Sequence, residues 1–553
     1  MQSGNSRKYL YLLPFVSTLT LIAGLWTGYF LSKHDNSSQA RQKLDEVFEM
    51  IQDYYVDEVS MDSLVEMTIP ELLKNLDPHS AYIPAKDRVA ANRDLESSFF
   101  GVGIQFQMLN DTIYIVEVIS GGAAESAGIL AGDRIIAVDG ENITGPEVTT
   151  DDVFKRLRGE KNTEVQLTVK RHNSPKPLSF DLIRTEIPVT PIDADYMLND
   201  STAYIRVSKF SDNTYTEFIK SLNKLYFNGA RSLVLDLRGN GGGYMNPAVL
   251  MANEFFSDNS LLVMTRGRNF AENSVIPSDM NGSFSDMQIV VLIDEFTASA
   301  SEIFSGAIQD NDRGLIVGRR SFGKGLVQRQ FDMPDSSQFR LTVQRYFTPS
   351  GRCIQKDYAP GKINDYDAEI FNRYSNGEIF SADSVMMDST KIHHTMNGRP
   401  VYGGGGIMPD VFVPSDTSGM SPYYIKILNG GLIQKYAYEY CDLNRDQLSE
   451  ARNLKELLPK LPSDGVLLQS FVSYARNVGN VKPQWYYIEQ SRKLIVNQIK
   501  AVIARDILGF SAYYEYLNAT DPVVLEALRQ LQKGNARYPI LPDDGPTTIF
   551  RKE

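Results

Sequence analysis

IVVLIDEFTASASEIFSGAIQDNDRGLIVGRRSFGKGLVQ, residues 289–328, decides how the rest of the chain is read. Positions 289–293 are an unbroken run of Ile, Val and Leu, which suits a strand buried on both faces. A short turn follows. Ala298-Ser299-Ala300-Ser301-Glu302 then opens a segment whose apolar residues, Ile303, Phe304, Ala307 and Ile308, recur at helical spacing. Strand, sharp turn and helix with a hydroxyl at the turn is the geometry that presents a serine beside unpaired helix N-terminal amides. Residues 315–318 predict a second strand, which delivers Ser321-Phe322-Gly323-Lys324-Gly325. The glycines flanking Lys324 let its backbone come close to another segment.

A serine is a weak nucleophile and needs a base. Ser299 is the candidate nucleophile and Lys324 the candidate base. Each has a plainer reading: Ser299-x-x-Glu302 also fits a helix capping box, and most lysines are exposed. A free lysine of pKa ~10.4 must lose about three units to serve near neutral pH, about 4 kcal/mol of differential stabilisation. Burial among small and apolar neighbours shifts a lysine that far.

TASASE followed by SFGKGLVQ resembles the carboxyl-terminal processing (tail-specific) serine peptidases. That resemblance implies an acyl-transfer peptidase in which Ser299 is the nucleophile, Lys324 the general base and Gln328 the polar residue that orients the lysine. If the chain after Lys324 is extended, positions 324 and 328 share a face. The implied fold is an α/β peptidase core of the crotonase-like ββα type. It carries an inserted PDZ β-rich domain, an N-terminal helical segment and a C-terminal helical extension. No metal or cofactor is implied.

With 553 residues there is room for three or four domains, and 42% hydrophobic with 22% charged residues indicates globular material. A net charge of −12 argues against a nucleic-acid partner. The five histidines, His34, His79, His172, His393 and His394, form no His-Glu-x-x-His pattern, so zinc-peptidase chemistry is not indicated. The two cysteines, Cys353 and Cys441, read first as free buried thiols, with a disulfide between them left open by the sequence.

Positions 9–31 carry no charge and follow Arg7 and Lys8. Their length of ~34 Å as a helix would cross a hydrocarbon core of ~30 Å. The basic flank places the N-terminus in the cytoplasm and exports the rest. The expectation for 1–38 is therefore a signal anchor in the cytoplasmic membrane with the catalytic part on the extracytoplasmic, periplasmic side. A cleaved signal peptide is the rival.

Residues 39–96 read as a helical lead-in, with Leu44, Val47, Phe48, Ile51 and Tyr55 at 3–4 spacing, closed by the turn Asp77-Pro78-His79-Ser80. Leu76–Tyr82 also resembles the signature ahead of the PDZ module in this family; by itself it reads as packing and turn, and His79 is given no chemistry. Residues 97–190 predict the β-rich module, with strands at 104–108, 113–118, 134–138, 165–171 and 180–184. Phe99-Phe100-Gly101-Val102-Gly103-Ile104 resembles the carboxylate-binding loop of PDZ domains, and AAESAGILAGDRIIAVDG (123–140) is similar to their helix and following strand. Phe100, Gly101, Val102, Gly103 and Ile104 are thus the candidate peptide-binding residues. Successive amides there would grip a terminal carboxylate while the strand edge adds the peptide as an extra strand.

The core is expected over 191–415. A strand at 232–237 ends in Arg238-Gly239-Asn240-Gly241-Gly242-Gly243. A dinucleotide fingerprint would need glycine where Tyr244 stands, and no Gly-Lys-Ser/Thr exists, so both nucleotide readings fail. These glycines can instead turn an amide toward developing negative charge on a carbonyl oxygen. By the family resemblance one oxyanion donor is Gly242 or Gly243, a choice the sequence leaves open, and the other is Ala300; Arg238 reads as structural. Residues 339–347 alternate as an amphipathic strand, 357–400 read as a polar, irregular surface insertion, and 403–413 resemble the segment that closes the family's core. Residues 416–533 predict a Tyr- and Leu-rich helical domain whose faces suit a core or a homo-oligomer interface. A loosely ordered tail, 534–553, follows.

The leading expectation is a membrane-anchored endopeptidase that holds protein substrates by their C-terminal tails. Two rivals stand beside it. One is a non-catalytic tail-binding scaffold with a vestigial Ser-Lys site, and the other is an esterase or amidase on the same fold.

Overall fold

The computed structural model describes residues 35–92, 96–109, 111–172, 174–386 and 388–536, with isolated positions at 18, 20, 22, 24 and 26. The expected membrane span at 9–31 and the expected tail lie almost wholly outside the described residues. Among those described, no helix is long and apolar enough to cross a membrane. The chain divides into two compact units, the first ending at Leu76 and the second beginning at Asp77. The first holds helices Asp35–Tyr54 and Met61–Leu73, the second of them capped where the Ser60 hydroxyl accepts the Ser63 N–H.

The second unit is built on a six-stranded sheet in the order Ile192–Met197, Thr202–Val207, Ser232–Asp236, Gln288–Ile293, Leu315–Gly318, Val411–Phe412. The first pair is antiparallel and every later pairing parallel. The middles of the central strands (Leu233–Leu235, Ile289–Ile293, Leu315–Val317) are apolar because both faces are covered. One face packs against helices Thr214–Phe227, Met245–Asn253 and Ala300–Asp310 through Phe218, Leu222, Met251, Phe255 and Phe304. The other is covered by Val523, Val524, Ala527 and Leu531 of helix Pro522–Gln532, which meet Val234, Val290, Leu292, Leu315 and Val317. A second, antiparallel sheet joins Leu326–Asp332 and Leu261–Gly267 to the long strand Gln338–Phe347. Ala81–Ile83, from the expected lead-in, pairs on that same long strand.

Inserted between these parts is the β-rich module. Its strands run in the order Ile104–Leu109, Thr112–Val118, Arg134–Val138, Glu164–Lys170, Leu178–Ile183. Its ends are drawn together where Ser98–Gly101 pairs with Thr185–Pro188. Helix Thr150–Leu157 starts at a true capping box, with the Thr149 hydroxyl and the Asp152 carboxylate each accepting the other's backbone N–H.

The helices of the expected extension go two ways. Those from Pro422–Asn429 to Phe510–Asn518 form one apolar cluster that takes in Leu109, Tyr114 and Val116 of the β-rich module. The last, Pro522–Gln532, belongs to the core sheet. Residues 357–400, expected to be an irregular surface insertion, instead contain helix Ile363–Ser375, which buries Tyr366 and Arg373. The buried face of this helix carries Tyr366 and Arg373, so no apolar stripe marks it in the sequence. Cys353 and Cys441 are both unpaired, Cys441 fully buried and Cys353 partly.

Candidate active site

Strands Ser232–Asp236 and Gln288–Ile293 are neighbours in the parallel part of the sheet, and the loops leaving their carboxyl ends meet. The meeting is stitched by Asn240. Its carbonyl accepts from the Ala298 N–H (3.0 Å) and the Ser301 hydroxyl (3.0 Å), its amide donates to the Val207 carbonyl (2.9 Å), and its side-chain oxygen accepts the Gly242 N–H (2.9 Å). Gly242 has φ +100°, and a Cβ there would stand 2.6 Å from the Ser299 Cβ; at Gly243 (φ +138°) it would stand 2.1 Å from the Phe210 carbonyl oxygen. Only glycine lets this loop lie so close to the serine.

Ser299 sits at the turn with φ +57° and ψ −116°, a conformation rare for a residue with a side chain. Such strain costs about 1–3 kcal/mol and persists only where the surroundings enforce it. Here the enforcing group is Glu302. Its carboxylate accepts the N–H groups of Ser299 (2.8 Å), Gly323 (2.7 Å) and Lys324 (2.8 Å) and the Ser321 hydroxyl (2.5 Å). Burial pushes the Glu302 carboxyl up, while the four donors favour its charged form. The Glu302 N–H meets the Ser299 carbonyl (2.8 Å), while the Glu302 carboxylate takes the Ser299 N–H in return. The Ser-x-x-Glu pattern thus does more than start a helix: its glutamate ties the serine turn to the lysine loop.

All of helix Ala300–Asp310 is buried, its polar residues included. The Ala300 N–H, at its first turn, makes no hydrogen bond with any described residue, and neither does the Gly243 N–H. The Gly242 N–H is occupied by Asn240, so of the two candidate glycines Gly243 has the unengaged amide.

Lys324 is half-buried, and its ammonium is 3.1 Å from the Gln328 side-chain oxygen. Burial, reinforced by the positive charge of Arg340, holds its pKa below the usual lysine value. The strand that brings Gln328 to it, Leu326–Asp332, has a register shift between Val327 and Gln328, so simple alternation does not describe the approach. The Gln328 amide in turn donates to the His79 carbonyl. His79 is held by Asp77, whose carboxylate accepts its N–H, and by Tyr366, whose hydroxyl lies 2.8 Å from the ring. The Tyr346 hydroxyl lies 2.6 Å from the Lys324 carbonyl and 3.0 Å from that of Ser299, a further tie across the site. Ser299, Ala300, Gly242, Gly243, Lys324 and Gln328 all line one cavity of about 680 Å3.

The sequence reading named these six but missed Asn240, Glu302 and Tyr346 as the ties between them. Asn240 stood within a quoted motif and Glu302 within a quoted pattern; Tyr346 carried no signal beyond strand alternation.

Residues 201–367 match the model of peptidase family S41, 88–170 that of the PDZ domain, and 423–509 a family of unknown function, DUF8443. A carboxy-terminal-processing protease of Bartonella bacilliformis is 34% identical over 389 residues, which cover 68% of this chain and 88% of that one. This chain belongs to peptidase family S41. A CtpA-like serine protease of Staphylococcus aureus is 32% identical over 340 residues, 61% of this chain and 67% of its own. Among solved structures, a photosystem II D1 C-terminal processing protease covers 56% of this chain and 89% of its own at 29% identity, with a TM-score of 0.32. The S41 chain is thus a C-terminal processing serine peptidase with a PDZ domain.

In the S41 peptidase's PDZ module, Gly101, Val102, Gly103 and Ile104 are buried, while the Phe100 ring is exposed. The Val102 and Gly103 N–H groups make no hydrogen bond with any described residue. Of the five candidate peptide-binding residues only Ile104 lines the adjoining cavity of about 760 Å3, which Phe99, Phe106 and Phe154 also line.

Proposed function

We propose that this peptidase cleaves by acyl transfer with a Ser299–Lys324 dyad, on proteins held by their C-terminal tails. The observation that carries the reading is a strained, partly exposed serine sharing a cavity with a half-buried, pKa-depressed lysine and two unengaged amides. Lys324 takes the proton as the Ser299 hydroxyl attacks the scissile carbonyl. Gly243 and Ala300 donate to the oxyanion, and Gln328 orients the amine. Lys324 returns the proton to the departing amine as the scissile C–N bond breaks and the Ser299 ester forms; water, deprotonated by Lys324, then attacks that ester, and the Ser299 oxygen regains a proton as the acid product leaves. The base and the oxyanion donors each contribute on the order of 10² or more in rate. The ββα character of the crotonase-like type is proposed on the same footing, supported by helix Ala300–Asp310 following a parallel strand.

Ser299→Ala and Lys324→Ala are each expected to abolish cleavage of a tail-bearing protein while leaving tail binding intact. Turnover retained by the Ser299 variant removes the assignment. Labelling of Ser299 by a serine-directed covalent probe separates the enzyme from a tail-binding scaffold, and equal cleavage of tailed and tail-truncated proteins would indicate a small-ester or amide hydrolase instead.

The signal anchor is part of the proposal, supported by the uncharged run at 9–31 behind Arg7 and Lys8. It puts the catalytic part outside the cytoplasm. Protease added to intact spheroplasts should degrade that part, and its protection would place it in the cytoplasm.

A further inference from the structure

The PDZ strand Ile104–Leu109 lies at the end of its sheet, and among the described residues no strand pairs with its outer edge. An added tail would dock there through backbone hydrogen bonds, its side chains pointing alternately to opposite sides. One set would face Ile104, Phe106 and Phe154, the last two with ring centroids 5.2 Å apart. In an isolated module the other set would face solvent. Here the same cavity is also lined by Gln105 and Glu117, which pair across the two strands, and by Leu508, Gly509, Phe510 and Ser511 of the helical extension.

This second wall is fixed on both sides. Gly509, with φ +88° and ψ −179°, lets helix Arg492–Leu508 break sharply into Phe510–Asn518. The Ser511 hydroxyl accepts the Asp195 N–H of the core sheet (3.4 Å), and the Arg505 guanidinium lies 5.3 Å from the centre of the Phe510 ring. Arg505 also donates to the Tyr438 hydroxyl, which donates to Gln107 on the edge strand itself (3.2 Å).

We infer that Leu508–Ser511 forms the far wall of the tail groove, so that the helical extension reads the penultimate side chain of the captured tail and favours an apolar one. The inference rests on tail capture at the PDZ edge, with the terminal carboxylate at the unengaged Val102 and Gly103 amides. Leu508 and Gly509 close the region matching DUF8443, 423–509, and Phe510 and Ser511 lie just past it. The terminal and third-last residues are read by the module alone; the residue between them is read by Leu508 and Phe510.

The test uses the full chain carrying Ser299→Ala and two fluorescein-labelled heptapeptides with free carboxylates, ending Val-Leu-Ala and Val-Asp-Ala. Fluorescence anisotropy should give the first peptide about tenfold tighter binding. Phe510→Leu should keep that ratio and Phe510→Ser should shrink it toward one, by weakening the Leu peptide. Equal affinities in the parent chain, or one unchanged ratio across both variants, overturn the inference. Phe106→Asp separates it from the parent reading. If the peptides bind and this variant loses both, tail capture stands whatever the ratio. If neither peptide binds the parent chain, both readings fall.

Discussion

In the proposed dyad Lys324 has to give up its proton before Ser299 can lose one, so the pH at which the enzyme works would be set by what surrounds a single amine. Burial is the main cause of its lowered pKa, Arg340 adds to it, and Glu302 and Asp77 pull the other way. The base acts when deprotonated, so kcat/KM should rise with pH through the Lys324 pKa and level off above it. Arg340→Gln removes a positive neighbour that disfavours the ammonium. The rising limb should then move to higher pH, with a loss of up to about tenfold per unit of displacement on the limb. A pH–rate profile checks this, and a limb that stays put or moves down contradicts the electrostatic role. His79 makes a second, opposite test. Burial and the charge of Lys324 bring its folded pKa down to about 4 from an ordinary 6.5. Between those values the unfolded chain binds a proton that the folded one does not, so stability falls as pH drops from 6.5 toward 4. Urea unfolding across that window should show a shallower fall for His79→Gln than for the parent; identical slopes would mean that His79 titrates normally.

The loop that carries Lys324 is shaped by a helix that leaves little trace in sequence. From Ile363–Ser375, Arg373 is 1% exposed and donates to the carbonyls of Arg320 (3.3 Å), Ser321 (2.8 Å) and Phe322 (3.2 Å), while Tyr366 supports His79. Lys356 lies 4.0 Å from the ring centres of both Phe322 and Tyr366, closing the clamp. Periodicity reasoning looks for an apolar stripe, and this helix buries an arginine and a tyrosine while leaving Phe371 71% exposed. That is why 357–400 reads as irregular. By contrast the strand at Gln288–Ile293 and helix Ala300–Asp310 were legible, because an aliphatic run and a 3–4 pattern report burial directly. What that pattern could not tell was that the helix is buried all round, since its Ser301, Ser305 and Gln309 are hidden by hydrogen bonds rather than by being apolar. Arg373→Met should cost about 3 kcal/mol or more of stability, because Glu369 loses a partner and three carbonyls lose donors. It should also lower kcat more than it weakens tail binding. Arg373→Lys should recover little, as an ammonium cannot span three carbonyls the way a planar fork does. Full kcat in either variant would show that the loop holds its shape without the clamp.

Across the whole molecule, the chain returns at its end to cover the sheet on which it began its catalytic core. A linear reading gave all of 416–533 to one helical domain, because neighbouring helices with similar aromatic content offer no boundary. In the fold, helix Pro522–Gln532 lies on the core sheet, and Asp521 fastens it twice. The Asp521 carboxylate accepts the N–H groups of Val523 (2.8 Å) and Val524 (3.2 Å) as an N-cap, and pairs with Arg238 at 2.8 Å. Arg238 is also bound to the fully buried Asp236, whose carboxyl it holds well below the usual range. Helix Pro522–Gln532 is thus wired to the strand that leads into the glycine loop beside Ser299. Truncation after residue 520 would expose Val234, Val290, Leu292, Leu315 and Val317 and leave Arg238 with one partner fewer. Each large aliphatic side chain so uncovered forfeits about 1.5–3 kcal/mol, and a domain has only about 5–15 kcal/mol in total. The truncated chain should therefore lose cooperative unfolding in calorimetry and aggregate, although the residues matching the S41 model remain in it. Asp521→Asn is the gentler probe: asparagine still caps, so only the carboxylate charge facing Arg238 is lost, and the expected cost is about 1–2 kcal/mol. A truncated chain that melts at the parent temperature would demote the helix to an accessory, and the peptidase core would then be complete without it.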